Sequence, residues 1–193
     1  MINDHSHQRR AWFFIVVLWI FSTAPPRALA LNEDEVEYPA KLAFLYNFAK
    51  FIEWPPGAFR DPGSPLVICI AGRDPFGADE ETELRARTIL GRPIEIRILR
   101  IANRLSGCNM VFVPVTEKDQ ADNILRGFKG SSALTVGETA GFAARGGIIN
   151  LTVEGNRLRF EINQLAAERA GLKISSRLFG LARIVTDDPR SPQ

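Results

Sequence analysis

Histidine is almost missing from this chain: the only two, His5 and His7, lie within the first thirty residues. The commonest general base is therefore unavailable to everything that follows, and serine–histidine and cysteine–histidine nucleophiles are excluded there. Cysteine is just as scarce, with Cys69 and Cys108 alone. Two thiolates without histidine make a poor zinc site unless carboxylates complete it. An excess of one charge is also lacking. The formal charge is +2, and Arg9, Arg10, Arg27 and Asp4 account for it, so the chain beyond residue 30 is neutral. No basic stripe of the kind carried by nucleic-acid binders is present. No apolar run reaches the roughly 20 residues that a membrane-spanning helix needs.

The longest apolar run, residues 11–24, follows Arg9-Arg10 and is closed by Pro25-Pro26 and by Ala28-Leu29-Ala30, a small-x-small pattern. These are the marks of a cleavable signal peptide over residues 1–30, with an uncleaved N-terminal anchor as the alternative. The remainder, residues 31–186, has the length of one domain, and residues 187–193 read as a disordered tail. Export places Cys69 and Cys108 where disulfides persist. Each lies in or beside an apolar, strand-like run, so a disulfide between them is expected, two buried free thiols being the alternative.

Residues 38–54 have helical periodicity. Leu42, Phe44, Leu45, Phe48, Ala49, Phe51 and Ile52 fill one side, while Asn47, Lys50 and Glu53 lie opposite; Pro55-Pro56-Gly57 stops the run. The next segments alternate in type. Residues 66–70, 110–113 and 133–136 are short unbroken apolar runs, the pattern of strands covered on both faces. Residues 94–98 alternate strictly, as an edge strand would, and residues 79–90 and 120–128 read as helices. This order predicts an α/β fold, a three-layer sandwich around a mainly parallel sheet. A C-terminal antiparallel hairpin, residues 148–153 and 158–162, turns at Gly155-Asn156, and helices follow over 164–170 and from Ser175 or Ser176 to Val185.

Chemistry-bearing motifs are few. The loop Gly72-Arg73-Asp74-Pro75-Phe76-Gly77 follows a strand where α/β sheets often bind ligands, yet it has neither a P-loop Lys-Ser/Thr pair nor G-x-G-x-x-G. Ser175-Ser176, with Lys173 nearby, has the look of a nucleophile, but a serine before a helix is more simply its cap. The stretch Gly141-Phe142-Ala143-Ala144-Arg145-Gly146-Gly147 is either a backbone turn or a binding loop presenting Phe142 and Arg145. In the second hairpin strand Leu158, Phe160 and Ile162 share one face, which leaves Glu161 on the other. Arg169 lies on a helix that needs only its Leu165, Ala166 and Ala170 side for packing. Glu161 and Arg169 are thus charges the fold does not obviously require, and with Phe142 and Arg145 they are the expected partner-binding residues.

The ordered set Phe44-Leu45-Tyr46-Asn47-Phe48-Ala49-Lys50-Phe51-Ile52-Glu53-Trp54-Pro55, Ala133-Leu134-Thr135-Val136-Gly137, Gly141-Phe142, Gly146-Gly147-Ile148-Ile149-Asn150, Arg159-Phe160-Glu161-Ile162-Asn163 and Gly171-Leu172-Lys173-Ile174-Ser175-Ser176 resembles the YfiR family of bacterial periplasmic proteins. The resemblance runs from about Val36 to Val185. It implies a periplasmic, non-enzymatic, cofactor-free regulator that represses a membrane-bound diguanylate cyclase by binding its periplasmic domain. It also implies an outer-membrane lipoprotein that sequesters the repressor, and a second copy of the chain is a further partner this reading admits; nucleic acid is not. Cys69 and Cys108 match the family's stabilising disulfide. A second cysteine pair of some relatives aligns with Ala143 and Asn150, so its redox control is not expected here. A sensor or carrier of a small ligand is the alternative function.

Overall fold

The computed structural model describes residues 33–100, 106–155 and 157–188. The expected signal segment and residues 189–193 of the expected tail lie outside the described residues. The chain opens with α1 (Glu33–Lys50), β1 (Ile52–Glu53) and β2 (Leu66–Ala71), followed by α2 (Ala78–Arg85), β3 (Thr88–Ile89) and β4 (Arg92–Leu99). Then come β5 (Met110–Val113), a 3₁₀ turn (Val115–Gln120), α3 (Ala121–Gly127) and β6 (Leu134–Gly137). The last third holds β7 (Ile149–Glu154), β8 (Arg157–Asn163), α4 (Gln164–Arg169), β9 (Lys173–Ile174), α5 (Ser176–Phe179) and β10 (Arg183–Val185).

Eight strands form one sheet in the order β10-β8-β7-β6-β5-β2-β4-β3. Pairing is parallel from β4 through β7 and again between β8 and β10; only β7–β8 and β3–β4 are antiparallel. The α/β expectation is met, and burial explains it. Leu66, Ile68, Ile70, Phe112 and Val136 point to one face and pack under Leu42, Leu45 and Phe48 of α1. Alternate residues Val67, Cys69, Val111 and Val113 point to the other face, beneath Ile124 and Phe128 from the α3 side and beneath Phe142. A strand buried on both faces needs an unbroken apolar run, which is what these segments have.

Three element boundaries depart from the sequence reading. The first helix ends at Lys50, and Ile52–Glu53 pair antiparallel with Lys173–Ile174 instead of continuing it. The second ends at Arg85, because Leu90 (φ 53°) and Gly91 (φ 75°) make a tight turn that folds Thr88–Ile89 back onto β4. The last expected helix stops at Phe179. Arg183–Val185 is extended and pairs parallel with Glu161–Asn163, so β10 is one edge of the sheet, while the edge strand expected at residues 94–98 is flanked instead by the two-residue β3. Ser175 caps the short α5 by accepting from the Arg177 N–H at 3.3 Å, which is the capping role expected of this serine pair.

Cys69 and Cys108 are disulfide-bonded, 39 residues apart in sequence, and Cys69 is fully buried. The bond ties central β2 to the entry of β5. Beside it Asn109 accepts from Val67 N–H at 2.9 Å and donates to the Ala58 carbonyl at 2.8 Å. Closing a loop of that length stabilises by about 3–4 kcal/mol in the chain-entropy model. Cys69→Ser is therefore expected to lower the chemical-denaturation stability by about that amount, and thiol labelling of denatured, unreduced wild-type protein should find no free thiol; quantitative labelling would contradict the bond.

Candidate functional site

The double-glycine segment is built around its aromatic residue. Phe142 is fully buried, and its ring lies against Gly137 and Gly147, where no β-carbon would fit. Gly146 takes φ +97°, and the Gly147 N–H closes the loop on the Phe142 carbonyl at 3.1 Å. Phe142 is therefore an internal plug that shapes the loop, a correction to its expected presentation to a partner. Arg145 is partly exposed: Nη1 donates to the Ala140 carbonyl at 3.1 Å, and Nε lies 2.9 Å from Asp122 Oδ1 on α3.

Asn163 fixes this loop to the rest of the domain. It is fully buried at the end of β8. Its Oδ1 accepts from Ala166 N–H at 3.0 Å, capping α4, and its Nδ2 donates to the Ala143 carbonyl at 2.8 Å and to Asp187 Oδ1 at 2.6 Å. Asp187 also receives Arg169 Nη2 at 3.1 Å, and the Asp188 N–H donates to the Ala144 carbonyl at 2.8 Å. Residues 187 and 188 are thus tied down, a correction to the tail expected from residue 187. The Arg169 guanidinium, with help from Asn163, holds the Asp187 carboxyl below its ordinary value, while Asp187 raises that of Arg169.

Glu161 overturns the expectation of an exposed charge. It is 6% exposed, accepts from Asn150 Nδ2 at 3.0 Å and is ion-paired with Arg183 of β10. The unforeseen strand supplies its counter-ion. Glu161 and Arg169 do not meet: each has its own partner, Arg183 and Asp187. Arg145 and Arg169 do converge. Both line a cavity of about 390 Å³, bordered by α3, the glycine loop, α4 and Asp187, with Leu125, Phe128, Ala133 and Ile148 among its apolar walls.

At the carboxyl ends of the parallel strands, the loop after β2 is braced by Asp74, whose Oδ1 accepts from Phe76 N–H at 2.8 Å. Burial first, then a shared hydrogen bond with Glu81, raises the Asp74 carboxyl to about 6. Glu81 is lowered, mainly by that same bond and by Arg85. The neighbouring end of β6 carries Glu138, which is paired with the buried Lys41 of α1 and accepts from Val115 N–H at 2.6 Å. These contacts clamp α1 and the strand ends together.

Fold and site together describe an α/β domain whose sheet is tied by a disulfide and whose glycine loop borders a cavity. The chain belongs to a known family: the model described as YfiR/HmsC-like matches residues 38–183. Among solved structures, a conserved domain protein from Vibrio cholerae O1 biovar El Tor superposes with TM-score 0.51 at 12% identity, over 78% of this chain and 60% of that one. The ABC domain in complex with L-Trp from Streptococcus pneumonia gives TM-score 0.48 at 11% identity, over 62% of this chain and 55% of that one. The chain therefore spans less than two thirds of either solved chain, and the likeness is one of fold alone.

Two measurements check this site. Glu161→Lys would set a second cation against Arg183 in a buried position and strip Asn150 of its acceptor; a loss of about 2–4 kcal/mol is expected, read by urea unfolding, with an unchanged midpoint contradicting the placement. The second concerns pH. Asp74 holds its proton more tightly when folded, so its contribution is complete below 3.8 and is lost as pH rises through about 6. Glu81 and Asp187 act in the opposite sense, losing their contributions only as pH falls below their ordinary carboxylate range. The side chain that ordinarily titrates between about pH 5 and 8, histidine, is absent beyond His7. The melting temperature is expected to fall across that window, and Asp74→Asn should flatten the slope.

Proposed function

We propose that the protein is a periplasmic regulator that restrains an inner-membrane diguanylate cyclase by binding the cyclase's periplasmic domain, and so lowers cyclic di-GMP. The observation that carries this reading is membership of the YfiR/HmsC-like family over residues 38–183, nearly the whole of the described domain. The signal-like segment ahead of it and the disulfide are in keeping with an exported protein. An outer-membrane lipoprotein that sequesters the repressor belongs to the same proposal.

The contact surface is proposed on the α4–β10 side, where Arg169 lies and where three large apolar side chains are exposed: Leu165 (49%), Leu181 (72%) and Ile184 (49%). Glu161 and Phe142 would act on it only from within, by holding β10 and the glycine loop, whereas Arg145 and Arg169 can reach a partner directly. β10 is an edge strand, so its outer backbone groups are open to pairing with another chain.

Deleting the gene is expected to raise cyclic di-GMP and biofilm formation. Leu181→Glu, at a position 72% exposed, should reproduce the deletion phenotype at normal abundance and melting temperature. Unchanged cyclic di-GMP in the deletion strain, with the cognate cyclase expressed, overturns the repressor reading; a silent Leu181→Glu removes only the proposed surface.

A further inference from the structure

The cavity beneath the glycine loop has hydrocarbon walls and a charged mouth, and that contrast limits what it can hold. Its volume, about 390 Å³, lies within the range of small-molecule sites. Leu125, Phe128, Ala133, Ile148 and Ala166 offer no polar side chain, and the hydroxyls of the lining are engaged, Thr135 accepting from Ile148 N–H and Ser131 donating to the Phe128 carbonyl, so the inner part suits an apolar body. The mouth is richer in cations: Arg126, Lys129, Arg145 and Arg169 face Asp122, Asp187 and Asp188. Asp122 and Asp187 are already occupied by Arg145 and Arg169. Arg126 donates only to the neutral Asn123 side chain, and neither it nor Lys129 forms an ion pair among the described residues. Arg145 is also incompletely satisfied. Its Nε is buried and close to Asp122 Oδ1, yet not aligned for a hydrogen bond, so this N–H lacks an acceptor.

We propose that the cavity binds an amphipathic monocarboxylate, with its hydrocarbon part on the Leu125–Phe128–Ile148 wall and its carboxylate at the mouth between Arg145 and the unpaired Arg126 and Lys129. A carboxylate there accepts from the exposed Arg126 and Lys129 N–H groups and offsets the excess positive charge. An amine of the same length would place a further cation among four, and an alcohol would leave the charge uncompensated. A nucleotide or polyphosphate fits poorly, because its sugar and phosphates would lie on hydrocarbon. The site shares Arg145 and Arg169 with the proposed cyclase contact, but binding of a small carboxylate to the purified protein is read without the cyclase.

The test is calorimetric titration of the purified protein with octanoate, decanoate and 4-phenylbutyrate, with octylamine and 1-octanol as controls. At least one carboxylate is expected to bind saturably, one to one, with Kd below about 100 μM, and to raise the melting temperature; the amine and the alcohol should bind at least about tenfold more weakly. Arg145→Gln should weaken carboxylate binding about tenfold, Arg145→Lys less so, and Ala144→Phe at the mouth should block it. The proposal is overturned if no carboxylate saturates by about 1 mM, if the alcohol or amine binds as well, or if folded Arg145→Gln and Ala144→Phe proteins both bind like wild type. Should the variants fail to fold, the comparison of carboxylate, alcohol and amine on the wild-type protein decides alone.

Discussion

One buried amide holds together the region on which the proposals depend. Asn163 ends β8, caps α4 and grips both the glycine loop and Asp187, so four chain segments meet on a side chain with no exposure to solvent. Each bond contributes only about 1 kcal/mol net. The larger constraint is the cost of leaving any of them unmade: a buried amide without partners loses its full hydration, which forces the loop, the helix and the C-terminal segment into mutual register. The Arg169–Asp187 pair sits on the outside of this junction and adds a partly exposed charge to it.

A second polar feature runs across three neighbouring strands of the sheet. Asn150, Glu161 and Arg183 are consecutive cross-strand neighbours on β7, β8 and β10. The row is unusual in that only its last member reaches water: the Arg183 side chain is 66% exposed, that of Glu161 8%. The desolvation cost of the carboxylate is met by a guanidinium that keeps most of its own hydration, a cheaper arrangement than burying both ions. It also gives the three-residue β10 a specific anchor, since backbone pairing alone over so short an edge strand is weak.

Much of the fold was legible in the sequence because the relevant signals are local. The apolar stripe of α1, the unbroken runs of β2, β5 and β6, and the β7–β8 hairpin with its Gly155-Asn156 turn all report the surroundings of their own residues. What escaped was set by partners distant in sequence. Ile174, Leu178, Leu181 and Val185 fall at helical spacing, yet Arg183–Val185 is a strand because Glu161–Asn163 offers an open parallel edge. Glu161 was misread for the same reason: alternation in a strand gives the side it faces, but not whether that side is covered. The cap at Asn163 was readable, being an asparagine between a strand and an apolar helical run. Its grip on Ala143 and Asp187 was not, for nothing near residues 143 or 187 announces it.

The glycine loop shows how a missing covalent bond changes energetics while the architecture stays intact. The positions assigned by family resemblance to a second cysteine pair are Ala143 and Asn150, both almost fully buried here. A disulfide across so short a loop would contribute about 2–3 kcal/mol in the chain-entropy model. In its place the Ala143 carbonyl accepts from Asn163, and Asn150 donates to Glu161. Hydrogen bonds of this kind recover part of that stabilisation, and unlike a disulfide they break and re-form without chemistry. The Phe142 plug fixes where the loop returns, since a β-carbon at Gly137 or Gly147 would collide with its ring. The loop that carries Arg145 to the cavity mouth is therefore held by packing, hydrogen bonds and the Arg145–Asp122 ion pair, with no covalent cross-link within it.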